Sequence, residues 1–184
     1  VISFGADAFP LKSIPTLVTG ATGKVGRHLM SVLLEQGADV ALLTHNPKSA
    51  CLLWPRKRLD IRSADLTDSS TLIGQLDGIE LVFHLASYSP PPRVPNIYQA
   101  AAHWPVTVEG PRNLLNAALA AGVRQLVYLS SVKVMEAVTD KGPLDETTPP
   151  APDTVYGRAK FGGAQRLWQQ AKRGGCMAVY RARR

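Results

Sequence analysis

The chain has little cysteine and no long apolar run, and both absences narrow what it can be. Cys51 and Cys176 are its only cysteines among 184 residues. They form no Cys-x-x-Cys pair, so no metal site is expected and a disulfide-stapled fold is excluded. A reducing, cytoplasmic setting follows as the expectation, with one disulfide left open by counting alone. Nowhere do apolar residues run to the roughly 18 that a bilayer crossing needs, so no membrane partner is expected. Val1 to Leu11 lacks the basic start and apolar stretch of a secretory signal. Acidic residues are absent from positions 172–184, where Lys172, Arg173, Arg181, Arg183 and Arg184 gather. That cluster and Arg56-Lys57-Arg58 stand out within a formal net charge of +7. With no zinc-finger pattern beside it, the charge reads as solvated helix ends rather than a nucleic-acid surface.

What is present is an apolar fraction of 45%, enough for a sizeable core. Apolar runs alternate with stretches of helical period. Ile14 to Thr19 reads as a strand, with Pro15 at its tolerant first turn. Val25 to Gln36 reads as a helix with Val25, Leu29, Val32 and Leu33 on its apolar face and Gly37 at its end. Val40 to Leu43 is a continuous apolar strand of the kind buried on both faces. Asn46-Pro47 starts a loop or short helix, Leu59 to Ala64 a third strand, and Leu72 to Leu76 a short helix. Leu81 to Leu85 is a buried strand. Ser89 to Pro95 is irregular and suits the rim of a site. Val108 to Ala121 is helical, Gln125 to Leu129 a strand, Val155 to Lys172 a long helix, and Cys176 to Tyr180 a last strand. The order implies an α/β fold: a doubly wound parallel sheet of about six strands over residues 14–184, after an N-terminal extension of residues 1–13. There is no room for a second domain.

Gly20-x-x-Gly23-x-x-Gly26 follows the first strand and enters the first helix. Gly20 permits a tight turn, Gly23 lets a phosphate approach the backbone, and Gly26 allows close packing of helix on sheet. The helix N-terminus then offers unpaired N–H groups to a pyrophosphate. The turn does not end in Gly-Lys-Ser/Thr, which disfavours nucleotide hydrolysis. An acid at the exit of the second strand would favour NAD. The chain has Thr44-His45-Asn46 there, with Asp39 too early, so the reading leans toward NADP over NAD. Lys24 or Arg27 could hold the extra phosphate, and His45 otherwise reads as a surface histidine. Asp65 either accepts from an adenine amino group or caps the segment starting near Thr67.

Tyr156 and Lys160 are four apart on a predicted helix and share a face. A phenol has a reference pKa of about 10 and is a poor base unless a nearby positive charge favours its phenolate. Lys160 can supply that charge and bind ribose hydroxyls. Ser131, after a strand ending Leu129-Ser130, can hydrogen-bond the substrate oxygen. Ser130 is the less apt serine of the pair, and Thr154 is placed to cap the helix. Tyr-x-x-x-Lys alone is common as a surface pair. Its place downstream of the glycine turn and of Ser131 gives it chemical meaning.

Together these residues resemble the extended short-chain dehydrogenase/reductase superfamily, in particular its NAD-dependent epimerase/dehydratase branch, from about Pro15 to Tyr180. The resemblance implies a Rossmann-like domain. It implies that Gly20, Thr22, Gly23, Lys24, Val25 and Gly26 hold the dinucleotide. It also implies that Asp65-Leu66 contacts adenine and that Leu85, Ala86 and Ser87, after His84, lie beside the pyrophosphate and nicotinamide ribose. Gly110, Arg112, Asn113 and Leu114 match the central helix, and Asp145-Glu146-Thr147 the loop before the tyrosine. Thr107, which the resemblance places in contact with the cofactor, stands where an Asn is usual, Pro111 where a Thr is, and Val134-Met135-Glu136 replaces Val-Tyr-Gly. Members of the superfamily continue further, so the usual C-terminal substrate-binding region is expected to be largely absent here.

The resulting expectation is an NAD(P)-dependent oxidoreductase or epimerase. It would act on a hydroxyl or ketone, with a nucleotide sugar as a plausible substrate by resemblance. A reductase of a flavonoid-like or steroid-like ketone is the alternative within enzymes, and a non-catalytic NAD(P)-binding redox sensor the alternative outside them. Dehydratase chemistry is weaker, because Val132-Lys133 stands where an acid pair is wanted. The expected partner is a small molecule, and the resemblance leaves room for a homodimer.

Overall fold

The computed structural model describes residues 11–55, 59–88, 100–135, 148–174 and 178–182. The proline-rich segment at Pro90-Pro91-Pro92, the Asp145-Glu146-Thr147 loop, the Arg56-Lys57-Arg58 cluster and Cys176 lie outside them. Six strands form one parallel sheet: β1 (Thr16–Thr19), β2 (Val40–Thr44), β3 (Asp60–Ser63), β4 (Leu81–His84), β5 (Gln125–Leu129) and β6 (Ala178–Ala182). Their order is β3-β2-β1-β4-β5-β6. The order reverses direction between β1 and β4, the switch point beyond whose carboxyl ends an open α/β sheet forms its ligand crevice.

Alternate side chains of the central strands enter two cores, as the two-residue strand period requires. Leu17, Ala41, Leu43, Val82, Leu126 and Tyr128 meet Leu114, Leu115 and Ala118 of α4 (Gly110–Ala120) and Ala164 and Leu167 of α5 (Val155–Gly174). Val18, Val40 and Leu42 meet Met30 and Leu33 of α1 (Lys24–Glu35) and Ala50 of α2 (Pro47–Leu53). Leu11, in a 3-10 turn over Leu11–Ser13, packs on this second core. Among the described residues no helix is long and apolar enough to cross a membrane, and no cluster of three or more His, Cys, Asp or Glu could hold a metal.

Three elements differ from expectation. The buried face of α1 is Gly26, Met30 and Leu33, whereas Val25 and Val32 are exposed. The short helix expected at Leu72 to Leu76 is a 3-10 turn over Ser69–Leu72, nucleated earlier because Asp68 accepts from the Ser70 N–H at 3.0 Å. The helix expected from Val108 is preceded by α3 (Ala100–His103) and a π-helical turn, Trp104–Glu109. Pro111 has no N–H for the Thr107 carbonyl four residues back. The wider register, in which the Gly110 N–H reaches the Pro105 carbonyl, carries the chain past that gap. Gly37, at φ +69°, ends α1 in a Schellman cap, its N–H donating to the Leu34 carbonyl and the Ala38 N–H to the Leu33 carbonyl.

Gly162 and Gly163 sit inside α5, where each glycine costs up to about 1 kcal/mol against alanine. A Cβ at Gly162 would meet only Val108 methyls, at 3.6 Å. A Cβ at Gly163 would stand 2.5 Å from the Thr107 carbonyl oxygen and 2.9 Å from the Tyr128 hydroxyl. Gly162→Ala is therefore expected to raise stability by up to ~1 kcal/mol. Gly163→Ala is expected to lower it by roughly 1–3 kcal/mol, because α5 must move off β5 and the π turn. Urea unfolding of the two variants checks the contrast, and equal effects would contradict it.

Candidate active site

The turn between β1 and α1 is built by backbone contact. Gly20 has φ +71°, and a Cβ there would stand 2.6 Å from the Ala86 nitrogen. A Cβ on Gly26 would run into the Gly20 carbonyl. The close packing expected of Gly26 on the sheet is thus packing on the turn itself. Gly23 is different: its Cβ would meet only the Gly20 carbonyl, at 3.3 Å. Gly23, Lys24 and Val25 are exposed, with Thr22 half-buried beside them. No side chain caps α1 and no acid stands in its first turn. The outer face of the turn is a cradle that a side chain at Gly23 would fill, and that end of a helix favours an anion. These residues fit a dinucleotide pyrophosphate.

The exits of β2 and β3 lie beside the turn. The Thr44 hydroxyl accepts from the Asn46 N–H at 3.1 Å, and Asn46 caps α2 by accepting from Ser49 N–H. His45 is exposed. Asp65 Oδ1 accepts from both the N–H and the hydroxyl of Thr67, each at 2.8 Å. The Thr67 N–H, then its hydroxyl, hold the Asp65 carboxyl below 3.8, and the nearby His45 charge adds to this. The capping role of Asp65 is thus realised. The Leu66 carbonyl accepts from Asn113 Nδ2 at 2.9 Å, which pins this segment to α4.

Leu85, Ala86 and Ser87 leave β4 against the glycine turn. The Leu85 N–H donates to the Thr19 carbonyl and the Ala86 N–H to the Thr19 hydroxyl. Thr107, expected to touch cofactor, is 1% exposed and its hydroxyl accepts from the Tyr88 N–H at 3.0 Å. It ties the loop after β4 to the π turn.

Ser131 leaves β5 and opens a 3-10 turn over Val132–Val134, its hydroxyl accepting from the Lys133 N–H at 3.2 Å. Ser130 is buried, with no partner for its hydroxyl among the described residues. Thr154 caps α5 by accepting from the Gly157 N–H at 3.0 Å. A Cβ on Gly157 would run into the Lys133 carbonyl. The first turn of α5, carrying Tyr156, is thereby seated on the turn that Ser131 opens. The Tyr156 ring is half-buried against His103, with centroids 5.8 Å apart, and His103 packs on Tyr88 at 4.9 Å. Lys160, one turn further, is only 2% exposed.

A buried polar cluster links the two ends of this site. Lys160 Nζ lies 4.3 Å from the centre of the Tyr128 ring, an attraction worth about 2 kcal/mol away from water. The Tyr128 hydroxyl donates to the Lys160 carbonyl at 3.2 Å. His84, the register partner of Tyr128, packs at 5.6 Å from its ring and pairs through Nδ1 with the Thr19 hydroxyl at 2.7 Å. Its Nε2 has no partner among the described residues. Burial pulls Lys160 down to about 8, which leaves it charged at neutral pH. Burial first, and the Lys160 charge second, push His84 down to about 3, so its ring is neutral. Burial pushes the Tyr128 hydroxyl up, so it stays protonated. In the sequence His84 marks only a strand end, and no motif singles out Tyr128 or His103. A histidine and a tyrosine inside apolar strands were the available signal for the first two.

All the expected site residues stand at or after the carboxyl ends of strands β1 to β5 or lie on the helices that succeed them. The model of the NAD dependent epimerase/dehydratase family matches residues 16–181. The chain belongs to that family. It is 34% identical, over 136 residues, to the 3 beta-hydroxysteroid dehydrogenase/Delta 5-->4-isomerase of Mycobacterium tuberculosis, covering 72% of this chain and 36% of that one. A short-chain dehydrogenase/reductase superfamily protein from Agrobacterium tumefaciens, crystallised with NAD, superposes with a TM-score of 0.76 at 32% identity, over 91% of this chain and 48% of that one. MoeE5, solved in complex with UDP-glucose and NAD, superposes with a TM-score of 0.75 at 28% identity, over 91% of this chain and 53% of that one. The chain thus spans about half the length of these solved structures and about a third of the curated relative.

Proposed function

We propose that this chain binds NAD(P) across the β1/β4 crevice and that Ser131, Tyr156 and Lys160 move a proton to or from a substrate hydroxyl or carbonyl. One observation carries the reading. An uncapped, acid-free glycine turn and the turn-plus-helix bearing Ser131, Tyr156 and Lys160 open on the same edge of one parallel sheet, joined through Thr19, His84 and Tyr128.

The dinucleotide, when bound, supplies the hydride acceptor or donor. Gly20, Thr22, Gly23, Lys24, Val25 and Gly26 would hold its pyrophosphate by backbone N–H groups and the α1 dipole. Asp65 and Leu66, with Thr44 and His45, would hold the adenosine end, and Leu85, Ala86 and Ser87 would line the nicotinamide side, their loop held by Thr107 through the Tyr88 N–H. Tyr156 takes the hydroxyl proton as a phenolate, or returns it in the reverse direction. Lys160 favours that phenolate by charge. Ser131 donates to the substrate oxygen. The exit of β2 supports a preference for the 2′-phosphorylated dinucleotide: Thr44-His45-Asn46 has no acid, and Lys24, Arg27 and Lys48 are exposed at the starts of α1 and α2. NADPH is expected to bind more tightly than NADH in a fluorescence titration, and equal affinities would overturn that preference.

For the substrate, the likeness to a protein solved in complex with UDP-glucose and NAD supports a nucleotide sugar. A steroid-like secondary alcohol is the second reading, supported by the mycobacterial relative. UDP-sugars and 3-hydroxysteroids should be offered with each dinucleotide while absorbance of the reduced nicotinamide is followed, and epimer formation from the sugars is read separately. Turnover of the sugars is the expected result. Turnover of the steroids alone selects the second reading, and turnover of neither rejects both.

A further inference from the structure

The lysine of a tyrosine–lysine pair must keep its positive charge and its direction although it is buried. In this chain Lys160 is 2% exposed. The ion pairs among the described residues join Arg62 to Asp60, Arg112 and Arg166 to Glu109, and Arg124 to Glu80. None of them involves Lys160. A carboxylate partner would hold the ammonium but cancel most of its field at Tyr156. An aromatic face holds a cation through its quadrupole and carries no net charge. The Tyr128 face does this at 4.3 Å. The Tyr128 hydroxyl, donating to the Lys160 carbonyl at 3.2 Å, fixes the ring to the same helix turn that carries the lysine. A side chain at Gly163 would stand 2.9 Å from that hydroxyl, so glycine there is what lets the bond form. His84 packs at 5.6 Å from the ring and is itself held by Thr19. Seat, anchor and lysine form one connected set of contacts reaching from β1 to α5.

We propose that Tyr128 is a positioning residue for Lys160: its ring seats the ammonium without neutralising it, and the hydroxyl bond to α5 is a second tie that the seat does not require. The role assigned to Lys160 rests on the function proposed above, but the seat itself does not. It is tested on the protein labelled with 13Cε-lysine, with the Lys160 signal assigned by its loss in Lys160→Arg. A methylene held near the Tyr128 face gives proton signals displaced upfield of the other lysines. That displacement is expected in the wild type, retained in Tyr128→Phe, and lost in Tyr128→Leu, where the signal returns among the other lysines. A Lys160 signal undisplaced in the wild type, or unchanged in Tyr128→Leu, overturns the proposal. Should Tyr128→Leu fail to fold, the wild type and Tyr128→Phe decide: a displaced signal in both supports the seat, and its absence from Tyr128→Phe overturns it. Addition of NADPH and NADH separates the two claims. A displaced, ring-dependent signal that neither dinucleotide moves leaves the seat standing and removes the dinucleotide reading.

Discussion

Tyr156→Phe is expected to lower turnover by about a thousandfold, within the range general acid–base groups contribute, while dinucleotide affinity changes by no more than about twofold. The substitution deletes one hydroxyl and leaves the ring. The ring's packing on His103, at 5.8 Å, does not use that hydroxyl, so the side chain keeps its place. Its helix turn is held independently, by the Thr154 cap and by Gly157 on the Lys133 carbonyl. What is lost is the atom that exchanges the proton. Lys160 cannot replace it, because its ammonium is committed to the Tyr128 face. Steady-state kcat and KM, with nicotinamide fluorescence for binding, separate the two effects. Unchanged turnover would reject Tyr156 as the base. Ser131→Ala should cost less, because a hydrogen bond to the substrate oxygen aids the reaction without carrying the proton.

The second large effect is acid instability, and it needs no substrate. Unfolded, the His84 imidazole titrates near its ordinary 6.5, and folded, at about 3. Between those values the unfolded chain binds a proton that the folded chain refuses, so stability falls as pH drops through that window. The loss reaches on the order of 5 kcal/mol by pH 3, comparable to the whole stability of many domains. The lowered Asp65 acts in the same direction at more acid pH, since its bonds to Thr67 are lost on protonation. Lys160 extends the slope at the other end. Its depressed value of about 8 means that stability rises further between there and its ordinary 10.5. His84→Asn should flatten the slope between pH 6.5 and 3 in urea unfolding curves. The same slope in variant and wild type would contradict the buried neutral histidine.

The legible parts of this molecule are those written in local pattern. Val40 to Leu43 and Leu81 to Leu85 read as strands because continuous apolar runs suit a sheet covered on both faces. The strand–turn–helix order around Gly20 was legible because a tight turn at positive φ is a backbone requirement, whereas Gly26 packs on the turn itself and not on the sheet. The face of α1 was not legible, because its rotation is set by Gly26 lying on the Gly20 carbonyl, a contact outside the helical period. That contact turns Met30 inward and leaves Val25 and Val32 in solvent. The π turn before α4 depends on two prolines at a helix junction, and periodicity cannot register a change of hydrogen-bond pattern. The cluster of Thr19, His84, Tyr128 and Lys160 needed the strand order, since β4 and β5 must be neighbours before a histidine and a tyrosine far apart in sequence can face one another. Asp65 shows the opposite limit. Its neighbours Thr67 and His45 were visible, yet one carboxylate can both cap a turn and meet a ligand, and only the cap is made by the chain's own atoms.

The central claim is that the glycine turn is a dinucleotide cradle, and Gly23 tests it with the least disturbance to the fold. A side chain there meets the Gly20 carbonyl at 3.3 Å and otherwise projects into the cradle. Its φ of −75° suits any residue. Titration of NADPH and NADH into the wild type and Gly23→Val, by fluorescence of the bound nicotinamide and with thermal unfolding alongside, reads binding and folding together. The expected result is saturable binding to the wild type, weakened at least about tenfold in a variant that still unfolds cooperatively, its unfolding temperature lowered by only about 2–4 °C for the lost N-cap glycine and the contact with the Gly20 carbonyl. No saturable binding of either dinucleotide to the wild type, or equal binding by Gly23→Val, would contradict it.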